Sequence, residues 1–364
     1  MTKMYLIRHA EAEGNLYRIY QGQRDMLVTE EGKAQIQALA ERFRDISVDV
    51  VYSSDLYRAA ATAAGICRVK GLPLQREPAL REICVGEWEG MPVGTVARER
   101  VAEAAAFRNG QNARGNSGAE TRQEVTERMM AALRRIAAAH DGQTVVVVSH
   151  GAAIRYALSE ILKDAPEMEG AAAISGNTGV TEMDVEDGTF RVHFLHDTSH
   201  LDCWMERLLG RVPPKRNNGL EAGLWYQIPQ GAEQEMWLRT ALGLDAESAC
   251  PTYEEGSLLL GMRGDEPVGL LGIKTEMEAE QKVGWIDLLW VRPECRRNTC
   301  GVQLLGQAVC RYRDMGREFL RTAVAKDDAE TLEFLEHQGF RPAAVQGDDK
   351  LILEKDIAIR LLDI

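Results

Sequence analysis

Two histidines of this 364-residue chain each follow a short apolar run. Arg8-His9 comes directly after residues 4–7, and Ser149-His150 comes directly after four valines at 145–148. A neutral imidazole nitrogen attacks phosphorus well, and nearby guanidinium groups favour the neutral form by charge repulsion. The same cations stabilise the equatorial oxygens of a transferring phosphoryl group. These residue types therefore indicate phosphoryl transfer through histidine.

Strands must position these side chains at a common edge. The apolar runs at 4–7, 48–52 and 145–148 are typical of strands buried on both faces of a parallel sheet. The run at 48–52 leads into a helix that carries Arg58. Open parallel sheets bind ligands at the carboxyl ends of their strands, beside helix N-termini. If the three strands are parallel neighbours, they form an anion site from Arg8, His9, Arg58 and His150.

A carboxylic acid is expected near the same edge, because the leaving oxygen needs a proton. Glu82 is the candidate, in a loop-like stretch before the glycine-flanked segment 86–90. A phosphate bound opposite this carboxyl group would keep it protonated. Glu82 is therefore predicted to be the general acid.

With these motifs in order, residues 1–201 resemble the histidine phosphatase (phosphoglycerate mutase-like) superfamily. Residues 6–11 resemble the family signature, with Ala10 where glycine is commoner. The resemblance implies that His9 is phosphorylated transiently and that Glu82 is the acid/base carboxylate. It also implies that Arg8, Arg58 and His150 belong to the phosphate pocket. Asn15 then matches a supporting asparagine, and Gln23 lies near the substrate.

The resemblance implies a three-layer α/β/α domain that acts on a small phosphorylated metabolite without a metal. The alternation of short strands with helices along this half fits that architecture. Mutases and phosphatases share the core. The compact stretch from Glu82 to His150, together with segment 86–90, looks phosphatase-like. We expect phosphomonoester hydrolysis, and phosphoglycerate mutase-type phosphoryl transfer is the alternative.

A second candidate anion site lies in the other half of the chain. An apolar strand at 283–291 is followed by a loop with two arginines and by a helix start at Gly301. Backbone N–H groups at such a start bind pyrophosphate, helped by the helix dipole and adjacent cations. The candidate binding residues are Val291, Arg296, Arg297, Asn298, Thr299, Cys300 and Gly301.

This loop resembles the coenzyme-A loop of GNAT-type N-acetyltransferases, whose pattern is R-x-x-G-x-G/A. The resemblance continues to the Gly339-Phe340 ending and covers roughly residues 223–354. It implies a GNAT-like mixed α+β domain that binds acetyl-CoA and N-acetylates a small amine. The expected fold class of the whole chain is therefore α/β, a phosphoglycerate mutase-like domain followed by a GNAT-like one.

Three positions depart from the GNAT pattern. Thr299 replaces the middle glycine, Leu335 stands where many members have the tyrosine that protonates the leaving thiolate, and Asp327 stands where asparagine is usual. A β-branched residue restricts how closely the loop backbone approaches a phosphate. Unless Tyr312 or a water supplies the proton, acetyl transfer should be slow. The alternative is a non-catalytic acyl-CoA sensor or interaction module.

Composition sets the remaining expectations. The polar, proline-containing stretch 206–222 predicts a linker between a phosphatase domain at 1–205 and a GNAT-like domain at 223–364. A net charge of −13 disfavours nucleic acid and acidic membrane surfaces as partners. The seven cysteines form no C-x-x-C pair, and neither a targeting segment nor a membrane-spanning run is evident. We expect a cytoplasmic protein.

Overall fold

Two β-sheets, one in each half of the chain, organise this protein. The computed structural model describes residues 1–108, 118–164, 175–202, 223–343 and 349–360. Within these ranges, none of the helices has both the length and the apolar content needed to cross a membrane. The linker predicted at 206–222 lies outside the described residues, so the domain boundaries stay a prediction.

The first sheet contains the parallel strands that the sequence predicted. Its strands are β1 Thr2–Arg8, β2 Val50–Ser53, β3 Leu74–Arg76, β4 Thr144–Ser149, β5 Val180–Glu186 and β6 Thr189–Asp197. Their spatial order is β3-β2-β4-β1-β5-β6. The first four named strands of that order are parallel, whereas β5 and β6 are antiparallel. Arg8 pairs with Ser149 and Ser53 with Val148, so the carboxyl ends of β1, β2 and β4 meet at one edge.

Helices cover both faces of this sheet. They are α1 Glu13–Tyr17, α2 Glu30–Arg42, α3 Tyr57–Lys70, α4 Val93–Glu99, α5 Val101–Arg108, α6 Arg122–Ala139 and α7 Gly151–Ile161. Alternate residues of β1 enter separate cores: Met4 and Leu6 pack with α6 and α7, and Tyr5 and Ile7 pack with α2 and α3. This alternation is the period of a strand buried on both faces. The three-layer prediction is confirmed.

Capping residues set where two of these helices begin. Thr29, the N-cap of α2, accepts a hydrogen bond from the backbone N–H of Gly32. At the start of α6, Thr121 and Glu124 form a reciprocal capping box, which fixes the first helical residue at Arg122.

The second sheet has seven strands in the order β12-β13-β11-β10-β9-β8-β7. They are β7 Trp225–Gln227, β8 Leu258–Arg263, β9 Glu266–Lys274, β10 Val283–Val291, β11 Phe319–Ala325, β12 Arg341–Pro342 and β13 Lys350–Asp356. Its helices are α8 Gly231–Leu242, α9 Cys300–Asp314 and α10 Ala329–His337. The mixed α+β prediction is confirmed, although the very short strands β7 and β12 were not predicted.

The parallel neighbours β10 and β11 separate partway along their length. They pair from Val283 to Ile286 on β10, and a register shift against β9 follows between Ile286 and Leu288. Beyond that point β10 continues to Val291, paired with β9. The edge of β10 that faces β11 therefore opens into a wedge, which leads toward the start of α9.

The two halves share a hydrophobic core. Three residues of the first half, Tyr17, Ile19 and Met26, are buried in the same cluster as the apolar face of α9. Each of the three is at most 4% exposed. The second half is therefore packed into the first, and the two are not independent units joined only by a linker.

Candidate functional site

His9 and His150 lie together at the edge where β1 and β4 end. Their ring centroids are 5.2 Å apart, and His9 is only 2% exposed. His150 is the N-cap residue of α7, so its position follows from the strand-to-helix turn. We call the four side chains Arg8, His9, Arg58 and His150 the histidine pocket.

The hydrogen bonds of His9 fix its tautomer. Its Nδ1 lies 2.7 Å from the carbonyl oxygen of Ala10, which only accepts, so Nδ1 carries the proton and Nε2 keeps its lone pair. The side chain of Asn177 donates to the carbonyl of His9 at 3.0 Å and holds the backbone. Burial lowers the pKa of His9 well below its ordinary value, and the charges of Arg58 and Arg8 add to this. His9 is therefore neutral near pH 7, as a nucleophilic histidine must be.

The two arginines of the pocket are bound by neutral groups. Arg58 donates to the carbonyls of Gly22 and Arg24, at 2.8 and 3.1 Å, and Arg8 donates to the carbonyl of Ser175. Burial lowers the pKa of Arg58 to about 10, which leaves it charged at neutral pH. Carbonyl partners orient these cations without neutralising them, so their charge is directed at whatever anion enters the pocket.

Several pocket nitrogens have no protein partner. Among the described residues, both ring nitrogens of His150 and the Nε atoms of Arg8 and Arg58 are buried without a hydrogen bond. Burial, followed by the charge of Arg58, lowers the pKa of His150 well below its ordinary value. Buried unpaired polar atoms are rare and costly in native proteins. Here they form the cradle that an oxyanion would satisfy.

Glu82 lies at the start of α7, beside the pocket. Its carboxylate accepts from the backbone N–H groups of Ala152, Ala153 and Ile83, at 3.1, 2.9 and 3.0 Å. These donors fix the orientation of the Glu82 side chain beside the pocket. The sequence predicted an acid kept protonated by a phosphate. This protonation stays a prediction.

Two further predicted residues have different positions. The amide of Gln23 donates to the carbonyl of Glu82 at 3.2 Å and to Glu120 at 3.3 Å, so it lies beside the candidate acid. Asn15 uses its side-chain oxygen to cap α1, accepting from the N–H of Ala12 at 3.0 Å. The structure therefore brings Gln23 to the site and gives Asn15 a local capping role.

Arg128 is a positioning residue that the sequence analysis missed. Its guanidinium donates to the carbonyls of Arg81 and Glu82 at 2.7 and 3.0 Å, and it binds both carboxylate oxygens of Glu120. It thereby fixes the loop that carries the acid. A signal was present, because an arginine three residues after Val125 falls on the apolar face of α6.

The second candidate site, residues 291–301, is here called the α9 loop. Its arginines are partly compensated: Arg296 forms an ion pair with Glu330 at 2.9 Å, and Arg297 lies 3.9 Å from the same carboxylate with its side chain 89% exposed. Arg296 also donates to the carbonyl of Val291 at 3.3 Å. An anion that binds these arginines must compete with Glu330.

The backbone of the α9 loop is strained at two positions. Arg297 and Thr299 have φ angles of 60° and 63°, in the left-handed region that favours glycine. Thr299 is the N-cap residue of α9, and its side chain accepts from Gln303 at 3.2 Å instead of capping a backbone N–H. Asn298, Cys300 and Gly301 surround this start, where backbone N–H groups are free for an anion's oxygens.

Neither Leu335 nor Tyr312 is placed to protonate a leaving thiolate. Leu335 is apolar and 2% exposed. The hydroxyl of Tyr312 is held by the carbonyls of Trp285 and Lys274 and by the N–H of Lys274. These bonds remove Tyr312 from the acid role that the sequence left open.

The carboxylate of Asp287 lies at the opening of the wedge between β10 and β11. Asp287, the residue at the register shift, accepts from the hydroxyl of Tyr253 at 2.9 Å and lies 3.6 Å from the Nζ atom of Lys274. These partners give it a structural role. Among the described residues, no cluster of three or more His, Cys, Asp or Glu side chains suits a metal.

Sequence comparison supports both halves of this picture. The profile of the Histidine phosphatase superfamily (branch 1) matches residues 4–198, and that of the Acetyltransferase (GNAT) family matches residues 224–340. The chain is 30% identical over 206 residues to "Uncharacterized phosphatase PhoE" of Bacillus subtilis (strain 168), covering 57% of this chain and 100% of that protein. It is also 30% identical over 208 residues to "Probable phosphoglycerate mutase GpmB" of Salmonella choleraesuis (strain SC-B67), covering 56% and 96%.

Among solved structures, Bacillus stearothermophilus YhfR is similar to this chain with a TM-score of 0.52 and 29% identity. The match covers 55% of this chain and 100% of that one. The relatives carry both phosphatase and mutase names, so similarity alone leaves that choice open.

Proposed function

Because this chain belongs to branch 1 of the histidine phosphatase superfamily, we propose that its N-terminal half hydrolyses a phosphomonoester through a phosphohistidine at His9. The observation that carries the proposal is the neutral His9, with its Nε2 lone pair, between two arginines whose hydrogen-bond partners among the described residues are carbonyls. A nucleophile and an oxyanion cradle are thus assembled in one buried site.

In the first step, Nε2 of His9 attacks phosphorus while the ester P–O bond breaks. Arg8, Arg58 and an N–H of His150 hold the equatorial oxygens. The leaving alkoxide takes a proton from Glu82, which gains that proton when a phosphate enters beside it. In the second step, the Glu82 carboxylate accepts a proton from water, the water oxygen attacks phosphorus, and the P–N bond breaks to give inorganic phosphate.

The alternative is phosphoryl transfer of the phosphoglycerate mutase type, in which a hydroxyl replaces water in the second step. The compact Glu82–His150 stretch favours the phosphatase. Release of inorganic phosphate in proportion to substrate consumed supports hydrolysis, whereas an isomeric phosphate ester without phosphate release supports the mutase.

The nucleophile is tested with His9→Ala in the full chain, using p-nitrophenyl phosphate and a panel of phosphorylated metabolites. Hydrolysis should be lost, because the proposed P–N bond forms on Nε2 of His9. His193→Ala is the matched control, since His193 lies on β6 and is paired with Asp184. A chelator should leave the wild-type rate unchanged. Activity of His9→Ala at about a tenth of wild type or more would exclude the mechanism.

We further propose that the α9 loop binds the pyrophosphate of acetyl-CoA and that the wedge between β10 and β11 takes the pantetheine chain. The unpaired edge of β10 beyond Ile286 offers amide groups to a linear amide ligand, and the start of α9 offers N–H groups and arginines to its phosphates. Acetylation of a small amine should be slow, because Leu335 and Tyr312 do not supply an acid. The alternative is a non-catalytic acyl-CoA sensor or interaction module.

Calorimetry on the full chain tests acetyl-CoA binding, since the shared core argues against using a C-terminal fragment. Arg296→Ala should weaken the binding, and Arg239→Ala, on α8 and paired with Glu235, is the control. No heat of binding at millimolar acetyl-CoA would reject this part of the proposal. Release of coenzyme A with a panel of amines separates a slow transferase from a sensor. We also propose a cytoplasmic location, on the cysteine pattern of the sequence.

A further inference from the structure

One segment of the first half supports the histidine pocket from outside. We call residues 13–26 the pocket segment. The carbonyls of Gly22 and Arg24 in this segment accept hydrogen bonds from the two terminal nitrogens of Arg58. The segment also carries Gln23, beside the candidate acid Glu82. Displacement of this segment would therefore move the main cation of the pocket.

The pocket segment packs against α9, the helix that follows the α9 loop. Its buried residues Tyr17, Ile19 and Met26 pack with Leu304 and the rest of the apolar face of α9. Contact is closest at Gly306, where a Cβ atom would lie 2.4 Å from Cγ of Tyr17. Real Cβ atoms do not approach a ring so closely, so the absence of a side chain at position 306 lets the ring lie against the helix.

Ion pairs join the last turn of α9 to the same segment. Arg313 pairs with Glu13 at 2.9 Å, with the two side chains only 11% and 3% exposed, and Asp314 pairs with Arg24. The carbonyl of Arg24 is one of the two that hold Arg58. A direct sequence of contacts therefore leads from α9 to the histidine pocket.

The other end of α9 adjoins the α9 loop. Arg296 is paired with Glu330, so a phosphate competes with that carboxylate for Arg296, and Thr299, the N-cap of α9, holds a strained conformation. The helix of 15 residues spans about 22 Å as a rigid element. Packed interfaces change by discrete shifts. A displacement at one end of α9 therefore also changes the packing of α9 against the pocket segment.

We propose that α9 couples the two sites, so that acetyl-CoA bound at the α9 loop tightens phosphate binding in the histidine pocket. The inference rests on the proposed acetyl-CoA binding. The arrangement of α9 that acetyl-CoA selects is the one in which the pocket segment holds Arg58, so the first ligand lowers the cost of that arrangement for the second and the coupling is positive. By linkage, phosphate must tighten acetyl-CoA binding by the same factor.

Calorimetry on the full chain tests this with inorganic phosphate as the probe of the pocket. The dissociation constant of acetyl-CoA should fall about fivefold at saturating phosphate, and that of phosphate by the same factor at saturating acetyl-CoA. If both ligands bind and neither affinity improves with the other, the coupling is wrong while the proposed function stands. If acetyl-CoA gives no heat, the proposed acyl-CoA binding itself has failed, and the coupling falls with it.

Variants of α9 locate the coupling. Gly306→Ala and Arg313→Gln should reduce the factor toward one. Alanine is a better helix former than glycine, so the first effect would not come from a weakened helix. Arg311→Gln is the matched control, because Arg311 donates to Gly256 within its own half. A factor lost equally in Arg311→Gln, or retained in both interface variants, would overturn the route through α9. If an interface variant fails to fold, the wild-type measurement still decides the coupling.

Discussion

The histidine pocket and the α9 loop are both proposed anion sites at the end of a strand, but their arginines differ in burial and in pairing. In the histidine pocket, Arg58 is 1% exposed, and its hydrogen-bond partners among the described residues are carbonyls. In the α9 loop, Arg297 is 89% exposed and Arg296 is paired with Glu330. Among the described residues, the cations of the first site form no ion pair with a carboxylate, although Glu82 lies near them, whereas a ligand of the second site competes with a carboxylate.

The burial and pairing of the arginines indicate which of the two sites suits catalysis. Charge directed into a buried, water-poor site acts at low effective dielectric and needs no reorganisation during the reaction. Exposed charge is screened by water and salt and contributes little per residue. We therefore expect catalysis in the histidine pocket and reversible binding at the α9 loop.

The largest expected effect contrasts one arginine from each site. Arg58→Ala should lower kcat/KM for p-nitrophenyl phosphate by about 100-fold or more, because a preorganised charge on the phosphoryl group is lost. Arg296→Ala should raise the dissociation constant of acetyl-CoA by less than about tenfold, because its charge is exposed and already paired. Steady-state kinetics and calorimetry measure the two values. Comparable losses in both variants would break the comparison.

A second prediction separates two roles inside the histidine pocket. Glu82→Gln should slow hydrolysis of alkyl phosphates by about 100-fold but that of p-nitrophenyl phosphate by less than about tenfold, because nitrophenolate needs little protonation. Arg58→Ala, which acts on the phosphoryl group itself, should affect both substrates alike and serves as the control. Equal losses for both leaving groups in Glu82→Gln would remove it from the acid role.

The pH dependence of kcat/KM tests whether burial and the two arginines keep His9 neutral. Burial and two cations lower the pKa of His9, so its nucleophilic neutral form persists as the pH falls below 6.5. At pH 5.5, kcat/KM corrected for substrate ionisation should stay near its neutral-pH value, whereas an unshifted histidine would cost about tenfold. In Arg58→Ala, an NMR titration should show the pKa of His9 moving up, because a repelling charge is gone. An acid limb near pH 6.5 in the wild type would contradict the buried, cation-flanked site.

The smallest expected effect concerns the α9 loop. Thr299→Gly should tighten acetyl-CoA binding about threefold to fivefold, because the backbone gains closer access to the pyrophosphate. It should also raise the thermal midpoint, since glycine adopts the left-handed conformation without a Cβ penalty. Thr299→Ala retains the Cβ atom and is the control. Equal affinity for the glycine and alanine variants would show that the loop is not limited by its backbone approach.

The sequence sufficed for elements whose signal is local. β10 has the predicted bounds of 283–291. The position of His9 and His150 at one edge followed from two buried strands and the rules of parallel sheets. Periodicity and capping are local properties, so they can be predicted without a tertiary structure.

Contacts between distant residues were beyond such reasoning. Nothing local to Tyr17 indicates that its ring lies against Gly306, and nothing local to Arg296 indicates a pairing with Glu330. The hydrogen bond from the Tyr312 hydroxyl to the carbonyl of Trp285 likewise depends on how strands and helices pack. The roles proposed for the pocket residues rest on a resemblance and on this geometry together.

The central claim is that His9 carries the phosphoryl group. Rapid mixing with a phosphorus-labelled substrate, followed by quenching and peptide mapping, tests it directly. The account predicts label that is stable in base and labile in acid, in the peptide containing His9, and no label in His9→Ala. Turnover of the wild type without any such label, or the same label in His9→Ala, would contradict it.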